Sequence, residues 1–284
     1  MRSLDSGASP SRQPRPPRQP RTVVKLGGSL ITDKRGDRPR IRRQTLARLA
    51  SELAAAPAGT LVALVHGAGS FGHGQVLRAA LQEGARTRAQ RLAWAEIQVL
   101  QNELNAEVCR ALVAAGLPAM PCQPSAAAVL SGRGLVSFFD EALRGFVEQG
   151  LLPVLYGVPA LDLRQGCAIL SGDILAPELA SRLGATRLLY ATDVDGVFTA
   201  DPRLDPAARC LGRITPGTWP EVESALRGSG SVDVTGGMRG KITALLQRVV
   251  RDGLSARIFD GNLPGQLLAA LRGRSVGTLV CQHP

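Results

Sequence analysis

The fold of this chain is indicated first by residues 22–29, which read TVVKLGGS. The run Thr22–Leu26 is typical of a short buried strand, and the two glycines after it are typical of a tight turn. Glycines that follow a strand let backbone N–H groups approach a phosphate closely, and Lys25 can reach the same phosphate as a point charge. An ordinary strand end explains the stretch equally well, so this motif alone does not decide the function.

Strands and helices alternate along the rest of the sequence. Further strands are predicted at 61–65, 118–121, 153–156, 187–191, 256–259 and 278–281. Helices are predicted at 42–56, 86–115 (as one helix or two), 171–183, 241–250 and 266–271. This alternation favours an α/β fold, a three-layer αβα sandwich with a mostly parallel central sheet. Ligands of such sheets bind beyond the carboxyl ends of the strands, where the glycine-rich segments of this chain are expected to converge.

The second motif is HGAGSFGH at residues 66–73, directly after a predicted strand. Gly67 to Gly72 fits G-x-G-x-x-G, the dinucleotide fingerprint, and an NAD-binding oxidoreductase is therefore one hypothesis. That fingerprint also requires an acidic residue about 20 residues further on, where this chain has Arg86-Thr87-Arg88. A glycine-rich loop that opens a helix binds any phosphate, and His73 would then point at the anion. A purely structural role for His73 is the other interpretation.

Two segments carry carboxylates at positions suited to chemistry. In SGD at 171–173, Ser171 or Asp173 is the expected N-cap of a helix that runs to Leu183. Alternatively, Asp173 holds two lysine side chains, because a carboxylate between two ammonium groups fixes both. In TDVDG at 192–196, two aspartates two residues apart indicate metal or nucleotide contact, although the remaining oxygen ligands of a calcium loop are missing.

The last motif is DVTGGMRGK at residues 233–241. It is not a P-loop, because no glycine lies five residues before Gly240 and Ile242, rather than Ser or Thr, follows Lys241. It still places a lysine at the start of a helix behind a glycine loop, which predicts a phosphate site of another design.

Lysine is rare in this chain, which has 31 Arg but only Lys25, Lys34 and Lys241. Because surface positions accept either residue, lysines that persist against an arginine bias are candidates for sites that need a compact, mobile ammonium group. Chance is the alternative, but all three lysines fall inside glycine-rich segments.

The net charge of +11 is partly a property of the N-terminus. Residues 1–21 carry five Arg, one Asp and five Pro, hence a charge of +4, and are predicted to be a disordered tail. The remaining charge lacks the aromatic interleaving of a base-stacking surface, so no nucleic-acid partner is expected. An RNA-binding or nucleotide-sensing module remains an alternative hypothesis.

The sequence also predicts where the protein resides. It has no apolar run of about 18 residues and no secretory signal, so no membrane partner and a cytoplasmic location are expected. The five cysteines are scattered without a CxxC pair, which favours reduced and mostly buried thiols.

Each of these motifs is weak evidence by itself, but their order along the chain is similar to that of a known family. The succession KLGGS, HGAGSFGH, SGD, TDVDG and TGGMRGK resembles the amino acid kinase superfamily over residues 22–281. SFGH and DVTGGMRGK narrow the resemblance to the branch of isopentenyl phosphate kinases, which transfer the γ-phosphoryl group of ATP to isopentenyl phosphate in isoprenoid biosynthesis. Fosfomycin kinases, which share a Gly-His ending and a TDVDG turn, are the alternative. The resemblance implies one domain at 22–284 with an acceptor-binding N-terminal part and a nucleotide-binding C-terminal part, ATP with Mg²⁺, and a homodimer.

The resemblance also implies roles for individual residues. Lys25 and Lys241 are expected along the transferring phosphoryl group, Asp173 between them, and Lys34 as a cation that neutralises the transition state. The implied nucleotide contacts are Lys25, Gly27, Gly28, Ser29, Asp193, Val194, Asp195, Gly237, Met238 and Lys241. The implied acceptor contacts are Gly67, Ala68, Gly69, His73 and Gly157, and no protein ligand is assigned to a metal. The chain departs from the family at Ala68, where a glycine is usual, and at Val158, where an acid is usual.

A phosphate monoester suits these residues as the acceptor. Its second pKa is near 6, so its attacking oxygen is already ionised at pH 7 and no general base is needed. The barrier includes repulsion between two anions, which ammonium groups, a histidine and Mg²⁺ reduce. Val76, Leu77 and Ala80 follow His73 at helical spacing and are candidates either for an apolar acceptor pocket or for plain core.

Overall fold

The structure is a computed structural model that describes residues 20–33, 39–200, 202, 205–227 and 237–283. Its strands are β1 (Thr22–Leu26), β2 (Thr32–Asp33), β3 (Arg40–Ile41), β4 (Leu61–His66), β5 (Ala119–Pro121), β6 (Ala128–Ser131), β7 (Gly134–Phe138), β8 (Leu152–Tyr156), β9 (Val158–Asp162), β10 (Gly166–Leu170), β11 (Arg187–Thr192), β12 (Val197–Phe198), β13 (Cys210–Leu211), β14 (Arg213–Ile214), β15 (Ser255–Asp260) and β16 (Thr278–Val280). Its helices are α1 (Gly28–Ile31), α2 (Arg43–Ala54), α3 (His73–Arg78), α4 (Arg88–Ala114), α5 (Glu141–Glu148), α6 (Gly172–Arg182), α7 (Trp219–Arg227), α8 (Gly237–Asp252) and α9 (Gln266–Leu271).

Eight of these strands form the central sheet in the order β14-β16-β15-β11-β1-β4-β8-β5. From β11 to β5 all neighbours are parallel, as are β11 and β15, whereas β16 runs antiparallel to β15. The prediction of a mostly parallel sheet is therefore confirmed. Leu26 pairs with His66 and Ala191, and His66 pairs with Tyr156, so the carboxyl ends of four strands lie side by side at one edge.

Helices cover both faces of this sheet, as the three-layer prediction requires. On β1, Val23 belongs to the core formed with α6 and α8, while Val24 and Leu26 belong to the core formed with α2, α4 and α9. This alternation is the two-residue period of a strand that is buried on both faces. Leu175 and Leu179 of α6 are fully buried, and burial of each such side chain stabilises the fold by roughly 1.5–3 kcal/mol.

A second sheet of four strands, in the order β10-β9-β6-β7, was not predicted from the sequence. Asp162 at its edge is 1% exposed and accepts four backbone hydrogen bonds, at 2.7–3.2 Å. The donors are the N–H groups of Gly132, Arg133, Arg164 and Gln165. Burial alone would raise the pKa of Asp162, but these four bonds lower it below its usual value.

The helix predictions are confirmed with small differences in their bounds. α4 is one continuous helix that begins with a capping box between Thr87 and Gln90. Ser171 is the N-cap of α6, since its hydroxyl accepts from the N–H of Ile174 at 3.3 Å, so the cap interpretation of Asp173 is wrong. None of the helices in the described part of the chain is long and apolar enough to span a bilayer.

Three predictions concern the N-terminal tail, Lys34 and the cysteines. Residues 1–19 of the predicted tail, and Lys34, lie outside the described residues. All five cysteines lie within them and none forms a disulfide. Only Cys109 and Cys167 are buried and Cys210 is exposed, so the expectation that most of the thiols are buried is wrong.

Candidate active site

Two glycine loops interlock at the carboxyl ends of β1 and β4. A Cβ atom on Gly28 would lie 2.4 Å from the nitrogen of Gly69, and one on Gly67 would lie 2.6 Å from the nitrogen of Gly28. Position 69 favours glycine for a second reason, because its φ of +51° lies in the left-handed region. These positions need glycine because backbone meets backbone there, so the implied nucleotide loop and the implied acceptor loop are neighbours.

The loop after β8 meets the start of α6 in the same way. A Cβ on Gly157 would lie 2.9 Å from the nitrogen of Gly172, and one on Gly172 would lie 3.6 Å from Cε of Lys25. The N–H of Gly157 also donates to the carbonyl of His66 at 3.0 Å. The four segments that follow β1, β4 and β8 and open α6 therefore meet around Lys25.

At this meeting point one carboxylate lies between two ammonium groups. Oδ1 of Asp173 is 3.1 Å from Nζ of Lys25, and Oδ2 is 3.9 Å from Nζ of Lys241. The exposed fractions of these side chains are 10% for Lys25, 12% for Lys241 and 32% for Asp173. We name this group the Lys-Asp-Lys cluster. It joins residues from β1, α6 and α8 that are far apart in the sequence.

Tyr190 of β11 forms the floor of the cluster. Nζ of Lys25 lies 5.9 Å and Nζ of Lys241 lies 5.8 Å from the centroid of its ring, which is a cation–π arrangement. Its hydroxyl donates to the backbone carbonyl of Asp173 at 3.4 Å. Burial and the charge of Asp173 raise the pKa of Tyr190 well above its usual value, so the ring stays neutral.

The charges around Asp173 determine its protonation state. Burial alone would raise the pKa of this carboxyl, but the charges of Lys25, Lys241 and His73 outweigh burial and hold the pKa below its usual value. His73, an exposed residue at the first position of α3, is therefore close enough to act on Asp173 electrostatically. Asp173 is ionised throughout the neutral pH range and forms ion pairs with both lysines.

The implied nucleotide residues surround the same edge. The N–H of Gly27 donates to the carbonyl of Ala191 at 2.8 Å, which joins the turns after β1 and β11. Asp193 and Asp195 are exposed in the turn after β11, and Val194 between them is half-buried. Ser29 lies in α1, Gly237 opens α8, and half-buried Met238 packs against the core below.

Residues 20–260 match the model of the amino acid kinase family. The chain belongs to this family. Its relatives include the isopentenyl phosphate kinase of Methanothermobacter thermautotrophicus, 40% identical over 89% of this chain and 96% of the relative. The isopentenyl phosphate kinase of Methanocaldococcus jannaschii is 32% identical over 90% and 97% of the two chains. A solved structure of an isopentenyl phosphate kinase is 35% identical, has a TM-score of 0.79, and covers 91% of this chain and 99% of its own.

The three apolar residues that were candidates either for an acceptor pocket or for core lie on α3 or just after it. Val76 is half-buried in a small core with Leu81 and Ile97, whereas Leu77 is 47% exposed and Ala80 adopts a left-handed conformation with φ +50°. Of the three predicted positions, Val76 is therefore core. An open cleft of about 500 Å³ lies between α3 and α4, but its lining includes none of the three predicted residues.

Sequence reasoning missed two residues of this site. Tyr190 is the penultimate residue of the strand predicted at 187–191 and gave no signal beyond being one of only two tyrosines. Arg42 donates to the carbonyl of Ser29 at 3.1 Å and to Oδ1 of Asn262 at 3.0 Å, and so ties α1 to the loop after β15. Nothing in the sequence distinguishes Arg42 from the other 30 arginines.

Proposed function

We propose that this chain transfers the γ-phosphoryl group of ATP to isopentenyl phosphate, which gives isopentenyl diphosphate and ADP. The observation that best supports this proposal is the Lys-Asp-Lys cluster, which lies where the two glycine loops meet. The two relatives named as isopentenyl phosphate kinases, which match almost the whole chain, support this choice of acceptor.

The cluster supplies what this reaction needs. A terminal oxygen of isopentenyl phosphate forms a bond to the γ-phosphorus, and the bond from that phosphorus to the bridging oxygen of ADP breaks. The acceptor oxygen is already ionised, so the protein contributes position and positive charge rather than a base. Lys25 and Lys241, held by Asp173, would flank the transferring group, and Lys34 would add a third positive charge.

Each of the two glycine loops would bind one of the two substrates. Gly27, Gly28 and Ser29 would contact the phosphates of ATP, and the acceptor phosphate would lie on the loop from Gly67 to Gly69 and on Gly157. His73 would donate to the acceptor phosphate, which its position at the start of α3 near Asp173 supports. The nucleotide would be framed by Asp193, Val194, Asp195, Gly237 and Met238.

Mg²⁺ fits this site as a partner of the nucleotide. Among the described residues, no group of three or more His, Cys, Asp or Glu side chains is placed to hold a metal ion. The ion would therefore be held mainly by the phosphates of ATP, and when bound it would neutralise part of their charge. The exposed carboxylates of Asp193 and Asp195, in the turn expected at the nucleotide, are the protein groups that would contact the ion.

We further propose that the protein is a homodimer and acts in the cytoplasm. Leu92, Val99 and Val113 of α4 are 57–62% exposed at multiples of seven residues, the spacing of a helix that packs along a second helix. A second copy of α4 is the occupant that fits this stripe. The five unpaired cysteines support a reducing compartment.

The dimer is tested by sedimentation at micromolar concentration. Val99→Glu should yield monomers, whereas Val250→Glu, at a comparably exposed position on α8, should leave the dimer intact. A monomeric wild type, or equal disruption by both substitutions, would contradict the proposed interface.

The function is tested by an acceptor screen with ATP and Mg²⁺. Isopentenyl phosphate, dimethylallyl phosphate, geranyl phosphate, fosfomycin and amino acids are compared by kcat/KM. Isopentenyl phosphate should be preferred, and preference for fosfomycin or an amino acid would refute the assignment. Lys241→Ala should lower kcat by orders of magnitude in a folded protein, and His73→Ala should raise the KM of the acceptor far more than that of ATP.

A further inference from the structure

His66, the last residue of β4, is a buried histidine that the proposed reaction does not use. Its side chain has no exposed surface, and its ring stacks on Tyr156 with centroids 5.4 Å apart and planes 20° apart. Nδ1 lies 3.1 Å from the carbonyl oxygen of Gly67, and Nε2 lies 3.1 Å from the amide oxygen Oδ1 of Asn105 on α4. Each ring nitrogen therefore has one partner.

The two partners cannot both accept a proton from this ring. Burial lowers the pKa of His66 to about 4, so the imidazole is neutral at physiological pH and carries one N–H. One nitrogen must therefore accept, and its partner must donate.

Asn105 is the partner that can change roles. A half-turn of its amide exchanges oxygen for NH₂ and gives up two long hydrogen bonds. One runs from Nδ2 to the carbonyl of Val154 at 3.5 Å, and the other is accepted by Oδ1 from the thiol of Cys109 at 3.9 Å. The carbonyl of Gly67 can only accept, and rotation of its peptide is restricted because Gly67 packs against the backbone of Gly28. The favourable arrangement has Nδ1–H donating to Gly67 and Asn105 donating to Nε2.

This hydrogen bond fixes the direction of the next N–H group. In a planar trans peptide the carbonyl of Gly67 and the N–H of Ala68 point in opposite directions, and the described residues contain no cis peptide. His66 shares its sheet face with Leu64, whose core includes α4, whereas Lys25 and Tyr190 lie on the other face. The N–H of Ala68 thus points away from α4, toward the face that carries the Lys-Asp-Lys cluster.

The N–H of Ala68 is available for a ligand. None of the hydrogen bonds among the described residues uses it as a donor, whereas the carbonyl of Ala68 accepts from Phe71 at 2.9 Å. A backbone N–H that is aimed into a glycine loop beside two ammonium groups is suited to a phosphate oxygen.

We propose that His66 is a positioning residue that holds the Gly67 carbonyl and thereby aims the Ala68 N–H at the acceptor phosphate. The identity of that ligand rests on the proposed function, but the orientation of the peptide does not. The substitution of Ala for the usual glycine at position 68 leaves this donor intact, because the contact uses the backbone.

The first test is the tautomer of His66 in the wild-type protein without substrate, measured by ¹⁵N-edited NMR of the imidazole. We expect the Nδ1–H tautomer to persist unchanged from pH 5.5 to 8. An Nε2–H tautomer would overturn the proposal whatever the enzyme phosphorylates, and a different substrate with the Nδ1–H tautomer would refute only the proposed function.

The second test uses two substitutions of the same residue. His66→Asn places an amide NH₂ near the position of Nδ1, whereas His66→Gln places it near Nε2. The Gln variant should raise the acceptor KM about ten-fold, the effect of one misaligned hydrogen bond to a charged group. The Asn variant should have an acceptor KM close to that of the wild type. The KM of ATP should stay within two-fold in both.

A matched control lies on the same helix. Asn102→Leu removes an α4 amide that bonds the hydroxyl of Tyr156 rather than His66, and should leave the acceptor KM within two-fold. Equal rises for ATP and acceptor, or equal KM values for the Asn and Gln variants, would overturn the proposal. If both His66 variants fail to fold, the tautomer of the wild type still decides it.

Discussion

Asp173→Asn removes the one negative charge of the Lys-Asp-Lys cluster and keeps the shape of the side chain. In the wild type, the two carboxylate oxygens lie 3.1 Å and 3.9 Å from the ammonium nitrogens of Lys25 and Lys241. An amide can accept from one of them but neutralises neither. The substitution leaves two mostly buried ammonium groups facing each other above the ring of Tyr190.

The magnitude follows from those distances. With an effective dielectric constant of about 20, the two attractions amount to about 5 and about 4 kcal/mol. Desolvation, and the third of the Asp173 side chain that remains exposed, reduce the net coupling to about 1–3 kcal/mol. Because both cations lose their position at once, kcat should fall about 10²–10³-fold, as when one preorganised electrostatic group is removed.

The assay is steady-state formation of ADP with isopentenyl phosphate as acceptor, beside thermal unfolding of the same samples. Glu178→Gln is the matched control, because Glu178 is a carboxylate on the same helix that pairs with two cations, Arg182 and Arg248, away from the site. It should lower the unfolding midpoint by a few degrees and leave kcat within two-fold. Turnover of Asp173→Asn within ten-fold of wild type, or an equal loss in Glu178→Gln, would refute this reasoning.

Substitutions at three further residues test the loops and floor of the site and the second sheet. Gly28→Ala should lower kcat/KM at least about 100-fold, since its Cβ would lie 2.4 Å from the nitrogen of Gly69; near-normal kinetics would contradict the contact between the loops. Tyr190→Leu should lower kcat about ten-fold through loss of two cation–π contacts of about 1 kcal/mol each, and Tyr190→Phe should not; equal kinetics of the two variants would exclude a role for the ring. Asp162→Asn should cost about 2–4 kcal/mol in urea unfolding at pH 7. Because the folded-state pKa of Asp162 is lowered, this stabilisation is present above about pH 4 and declines as pH falls through that pKa. A loss that does not shrink as the pH is lowered below about 4 would contradict the charge-based account.

The central sheet was predictable because each of its long strands is a continuous apolar run with a glycine or an acidic turn behind it. Thr22–Leu26 is observed with the predicted bounds, and the predicted strand at 187–191 is only one residue longer. The second sheet was missed because two of its four strands begin with glycine, which weakens the strand pattern. What holds its turns is Asp162, one carboxylate that binds N–H groups from two hairpins, and a local pattern does not reveal such a contact.

The chemistry-bearing residues were predictable where composition or a motif set them apart. Lys25 and Lys241 were found because lysine is rare in this chain, and Asp173 because it follows Ser-Gly at a helix start. Tyr190 and Asn105 were not found, because a buried tyrosine in a strand and a buried asparagine within a helix have no sequence signal. Their roles depend on what lies across the sheet or beneath the loop, which only the packing of the chain determines.

The two faces of the central sheet act on the same edge in different ways. Since side chains alternate along a strand, Lys25 of β1 points to the α6 side while His66 of β4 points to the α4 side. The α6 side supplies side-chain charge, and the α4 side acts through the backbone of the loop after β4. A shift of β4 by one residue against β1 would move His66 to the face of the ammonium groups and remove the support of the Gly67 carbonyl. In the proposed mechanism, the register of these two adjacent strands therefore determines whether the substrates meet both the positive charge of the lysines and a correctly directed Ala68 N–H.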